Sequence, residues 1–75
     1  MSIEVGDKVE TYGWLEGLTG VVTRVIKGYT ARDHGTIEIQ ISKVSPGFPH
    51  IDGLKSGDIE HFSYYNWEAD LRRIS

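Results

Sequence analysis

Three histidines, at positions 34, 50 and 61, are the side chains in this 75-residue sequence best suited to moving a proton near neutral pH. None stands four residues from another, so the chain lacks the spacing of a helical metal pair. Asp33 precedes His34, and Asp52 lies two residues beyond His50, spacings that would let a carboxylate orient an imidazole. Adjacent polar residues of this kind are more commonly solvated, and the pattern puts two of the histidines in loops and one on a strand. The acidic pairs Asp58 with Glu60 and Glu68 with Asp70 read as solvent-facing turn charges more readily than as a cation site. Asp58, following Gly57, suits a turn in which its carboxylate bonds nearby backbone amides. The sequence contains no Gly-x-Ser-x-Gly elbow, no glycine-rich phosphate loop and no cysteine nucleophile. The expectation is a non-enzyme with no catalytic residue, metal or cofactor.

The aromatic residues point to binding chemistry. Tyr12 and Trp14 flank Gly13, while Tyr64, Tyr65 and Trp67 gather near the C-terminal end, followed by Arg72 and Arg73. Aromatic faces beside cations grip extended peptides, cations or stacked bases. A chain this short also needs large side chains inside, and Trp67 with Phe62 are assigned to that core. The candidate partner-binding residues are therefore Tyr12, Trp14, Tyr65, Arg72 and Arg73, with strand alternation sending the two arginines to opposite faces.

Positioning these groups falls to strands. Nine glycines cut the chain into segments mostly too short for ordinary helices. Ile37, Ile39 and Ile41 alternate with Glu38, Gln40 and Ser42, a period of two that predicts a strand over 35–43 with the isoleucines on one face. Residues 20–27 are β-branched and bounded by glycines, which favours a second strand. Val22 and Val25 cannot both face inward on a regular strand, so a bulge or sharp twist is expected near Thr23 and Arg24. Residues 7–12 read as a first strand with Val9 inward, and 59–64 as a fourth with Phe62 and Tyr64 inward. Residues 65–74 read as one tight helical turn followed by a short strand, a small helix being the rival reading. Residues 45–53 read by composition as a breaker-rich loop.

Five short strands, glycine-rich turns and one long loop imply a small antiparallel sheet that closes on itself, within one domain spanning 1–75. With 39% hydrophobic and 25% charged residues the composition is that of a globular chain, and without cysteines burial alone must hold it. No apolar run approaches the roughly 20 residues of a membrane span, and the expected setting is the cytoplasm. Residues 1–43 hold five bases and six acids, residues 44–75 three and five. Neither half is a basic arm, which disfavours generic DNA because backbone binding depends on clustered Lys and Arg.

The series Gly6-Asp7-Lys8-Val9, Gly13, Gly17, Gly20-Val21-Val22 and Val25 resembles the KOW motif, found in certain large-subunit ribosomal proteins and NusG-type elongation factors. The resemblance covers residues 6–27. It implies an all-β fold, a five-stranded antiparallel Src-homology-3-like barrel with one short terminal helical turn, and RNA or a ribonucleoprotein as a partner class. Gly20 would then open a crowded strand, where glycine tolerates positive φ or close backbone approach. The stretch from Gly6 to Gly13 is one residue shorter than the usual motif, and the loop Trp14-Leu15-Glu16 lacks the basic residues of ribosomal versions. The leading expectation is thus a protein or peptide interaction module, an accessory part of a larger assembly, with RNA binding as the alternative and a small enzyme a distant third. In such a barrel the first loop and the last turn lie near each other, so the candidate aromatics are expected to share a groove.

Overall fold

The computed structural model describes residues 3–13, 16–45 and 54–74, and of the breaker-rich stretch 45–53 it covers only Ser45. The strands are β1 Lys8–Thr11, β2 Leu18–Ile26, β3 Thr36–Val44, β4 Ile59–Phe62 and β5 Leu71–Arg73, with the clean apolar alternation of Ile37, Ile39 and Ile41 at the centre of β3. All pairings are antiparallel, in the order β4-β3-β2-β1-β5, and one 3-10 turn, Trp67–Ala69, precedes β5. The expected all-β architecture with a terminal helical turn is thus the one observed. Residues 65–74 resolve in favour of turn then strand, and β4 ends two residues earlier than the pattern suggested.

One core cluster explains why the sheet curls into a barrel-like shape. Leu71 from β5 at one edge belongs to the same cluster as Ile37 and Ile39 from β3, and Phe62 of β4, from the other edge, packs against that cluster. Opposite ends of a flat sheet could not touch the same cluster. Val9, Val22, Ile3 and Trp67 complete it, and Val25 and Tyr64 pack at its margin.

Two register slips interrupt the pairing of β2 with β3, a kind of irregularity that bends strands. One falls between Val22 and Arg24, so Thr23 is an extra residue and both Val22 and Val25 reach the core side. A second slip falls between Thr19 and Gly20, which the apolar pattern does not announce. Gly20 lies between Val9 of β1 and Ile41 of β3 and has no positive φ. Close approach alone requires glycine there: a Cβ would sit 2.6 Å from the Gln40 carbonyl oxygen.

A single turn design is used twice. In Glu4-Val5-Gly6-Asp7 the Asp7 carboxylate accepts the Glu4 amide at 2.8 Å, and the Asp7 amide donates to the Glu4 carbonyl at 3.1 Å. In Lys55-Ser56-Gly57-Asp58 the corresponding distances are 3.0 and 3.1 Å. The glycines take φ of 95° and 96°, a region where a side chain is strained. Gly6 and Asp7 then clamp Val22 of β2 by two backbone bonds of 2.8 and 2.9 Å, and Gly57 and Asp58 clamp Ile41 of β3 by bonds of 2.7 and 2.8 Å. Each turn therefore sets the register of the strand leaving it, β1 in one case and β4 in the other.

Candidate functional site

Pairing of β1 with β5 places Glu10 opposite Arg72 and Thr11 opposite Leu71. By strand alternation Glu10, Tyr12 and Arg72 lie on the outer face, while Val9, Thr11, Leu71 and Arg73 lie on the inner one. The two arginines take different partners, Arg72 reaching Glu10 and Arg73 reaching Asp7. Thr11 is buried, and its hydroxyl oxygen accepts the Leu18 amide at 3.0 Å, fixing where β2 begins.

On the outer face the Arg72 guanidinium lies 5.4 Å from the centroid of the Tyr12 ring. Arg72 Nε donates to Glu10 Oε1 at 2.9 Å, with Nη2 at 2.8 Å from the same oxygen. The Tyr12 hydroxyl donates to the Glu68 carbonyl oxygen, and the Tyr12 amide to the Asp70 carbonyl at 3.1 Å. Tyr12 is therefore held at three points: its ring by a cation, its hydroxyl by the 3-10 turn, its backbone by the entry to β5. An exposed contact of each kind is worth only about 0.5 to 1 kcal/mol, so the arrangement fixes geometry more than it stabilises the fold.

Two open hollows adjoin this pair. One, of about 370 Å³, is bordered by Glu10, Tyr12, Glu16, Leu18, Lys43 and Arg72, and is mainly polar. The other, of about 360 Å³, lies over Trp67 and Leu71 and is bordered by Tyr12, Arg72, Arg73 and Glu68. Tyr12 and Arg72 form the ridge between them. Arg73 on the inner side reaches Asp7, with Nε 3.6 Å from Oδ2.

Of the five candidate residues the structure brings Tyr12, Arg72 and Arg73 together. Tyr65 borders neither hollow; it is exposed, and its amide donates to the His34 carbonyl at 2.7 Å beside the β2–β3 loop. Trp14 lies outside the described residues, as do His50 and Asp52. Trp67, assigned to the core, is there with only 9% of its surface exposed, and it also floors the apolar hollow. Glu10, Lys43 and Glu68 are neighbours the sequence reading missed. Only the strand register, with Glu10 opposite Arg72, reveals the first of them.

The two described histidines, His34 and His61, bond to groups other than a carboxylate next to them in sequence. His34 Nδ1 donates to the Gly35 carbonyl at 2.6 Å. His61 stands directly across from Glu38, and Nε2 donates to Oε2 at 3.2 Å, while the Thr23 hydroxyl donates to Oε1 at 2.9 Å. The Thr23 hydroxyl first, and His61 second, hold the Glu38 carboxyl below its ordinary value of 4.5. A carboxyl depressed by folding stabilises above the ordinary value, and that contribution disappears as the pH falls through the folded one. Glu38→Gln is therefore expected to lower the melting temperature at neutral pH and leave it little changed at the acid end, flattening the acid side of a plot of melting temperature against pH. Identical acid limbs for both proteins would show the interaction to be without weight. Neither hollow adjoins this pair, and among the described residues no group of three His, Asp or Glu is placed to hold a metal ion. No helix among them is long and apolar enough to cross a membrane.

Compared with protein-family models, with curated proteins and with solved structures, the chain gives no match in any of the three.

Proposed function

We propose that this chain is a non-catalytic binding module whose partner is a protein or peptide segment, serving as an accessory part of a larger cytoplasmic assembly. The observation that carries the reading is the Tyr12–Arg72 ridge with a polar hollow on one side and an apolar one on the other. An extended segment laid across the ridge would set an apolar side chain over Trp67 and Leu71 and a polar one among Glu10, Glu16 and Lys43. Tyrosine and arginine are the residue types that most often anchor protein interfaces, because a rigid ring and a planar cation lose little freedom on binding.

The barrel is further proposed to be of the Src-homology-3-like kind, supported by a 3-10 turn ahead of a short closing strand. The KOW resemblance supports that fold more than it supports RNA contact. Gly6 and Asp7 work in clamping Val22, and Gly20 in admitting the Gln40 carbonyl. The same Gly-Asp turn recurs at Gly57 and Asp58, outside the matched stretch. Arg72 and Arg73, the cations nearest the ridge, each have a carboxylate beside them.

Titration with generic single and double strands at near-physiological salt separates the two readings. Binding is expected to be no tighter than about 10⁻⁴ M, the weak end of non-specific affinity. A micromolar complex with a steep salt slope would put RNA first.

A further inference from the structure

The loop between β2 and β3, residues 27–35, is built more firmly than a connecting hairpin needs. Gly28 and Gly35 touch so closely that a Cβ on either would meet the other's backbone. Within the loop the Thr30 hydroxyl accepts the Asp33 amide at 2.9 Å, and the Tyr65 amide ties its far side to the body through the His34 carbonyl at 2.7 Å.

On this clamped loop Tyr29 has 71% of its surface exposed, yet its ring packs edge-on against Tyr64, centroids 6.1 Å apart at 81°. Tyr65, next in sequence to Tyr64, is 43% exposed. Two accessible phenol rings are thereby held to one end of the barrel by a fixed backbone. Large rigid rings on an ordered loop cost little to immobilise, which is the property of a binding anchor.

Charge selects the occupant. Lys27 and Arg32 make no ion pair among the described residues, whereas Arg72 and Arg73 do. Residues 27–35 carry two bases and one acid, while the rest of the chain carries six bases and ten acids. A nucleic-acid strand, charged along its whole length, would leave this small cationic end and run over the acidic remainder. A short peptide with a few carboxylates would not.

We propose that the β2–β3 loop, with Tyr29, Tyr65, Lys27 and Arg32, is a second binding surface that takes an acidic peptide segment. Carboxylates of the segment meet Lys27 and Arg32, and its apolar side chains lie on the tyrosine faces. This surface is separate from the Tyr12–Arg72 ridge and stands whether or not the ridge binds a partner.

The probe is a capped peptide alternating glutamate with leucine, titrated into the whole chain while backbone amide chemical shifts are followed. Saturable shifts are expected at residues 27–35 and at Tyr64 and Tyr65. Arg32→Glu and Tyr29→Ala should each weaken binding about tenfold, the size of effect usual for a contact at the edge of an anchor. Arg32→Lys should retain most of it, and its spectrum shows that the fold survives change at this site. Absence of binding would overturn the proposal, as would equal binding of the same peptide with glutamine for glutamate, shifts centred on Tyr12 and Arg72, or tighter binding of a single-stranded oligonucleotide at the loop.

Discussion

Trp67→Ala is expected to lower stability by about 3 to 5 kcal/mol, the usual cost of truncating a large buried aromatic. Trp67 begins the 3-10 turn and belongs to the core cluster with Ile3, Val9, Val22, Ile37, Ile39 and Leu71, so its removal opens a cavity within that cluster. A chain of 75 residues has a total stability on the order of 4 to 11 kcal/mol, so the variant stands near or beyond the threshold of folding. Tyr65→Ala, two residues earlier but exposed, should change stability by less than about 1 kcal/mol. Phe62→Ala falls between them, because Phe62 packs against the core while only half-buried. Thermal or denaturant melts of the three variants give the comparison. Trp67→Ala melting with Tyr65→Ala would mean that the cluster is not the centre of the fold.

Gly20→Val should cost about 1 to 3 kcal/mol, for a steric reason localised to one atom pair. Valine has no conformational quarrel with the Gly20 backbone, since φ there is not positive. Its Cβ would meet the Gln40 carbonyl, a ladder atom that can retreat only by opening the β2–β3 pairing beside the register slip at Thr19. Amide exchange should accordingly quicken at Val21 and Gln40, which stand opposite each other in that pairing, before it does in β5. An unchanged unfolding midpoint would show that β2 and β3 do not approach so closely.

Strands whose side chains alternate cleanly were legible in the sequence. Ile37, Ile39 and Ile41 announce β3, and the broken parity of Val22 and Val25 announces the bulge at Thr23, because a period of two admits no other way to bury both. Asp58 as a turn former follows from its place after Gly57. What stayed hidden depends on register. The Glu38–His61 and Glu10–Arg72 pairs join residues 23 and 62 positions apart, and nothing local specifies which residue stands opposite which. The slip at Thr19 leaves no trace in the apolar pattern. Gly20 was legible as a crowded position, but whether φ or a neighbouring carbonyl crowds it can be read only from the strand beside it. For the site, the chemistry of Tyr12 and Arg72 was legible, and their stacking follows from the β1–β5 pairing. Tyr65 belongs to the β2–β3 loop because of one backbone bond to His34 that no sequence spacing indicates.

Affinity measured on one captured partner decides whether Tyr12 and Arg72 form a protein-binding ridge. A partner retained from lysate after nuclease treatment would be titrated against the original chain, Tyr12→Ala and Arg72→Glu, with melts confirming that each variant is folded. A loss on the order of thirtyfold is expected for each, the consequence of removing an interface anchor worth about 2 kcal/mol. Unchanged affinity in both folded variants, or a partner lost on nuclease treatment, would contradict it.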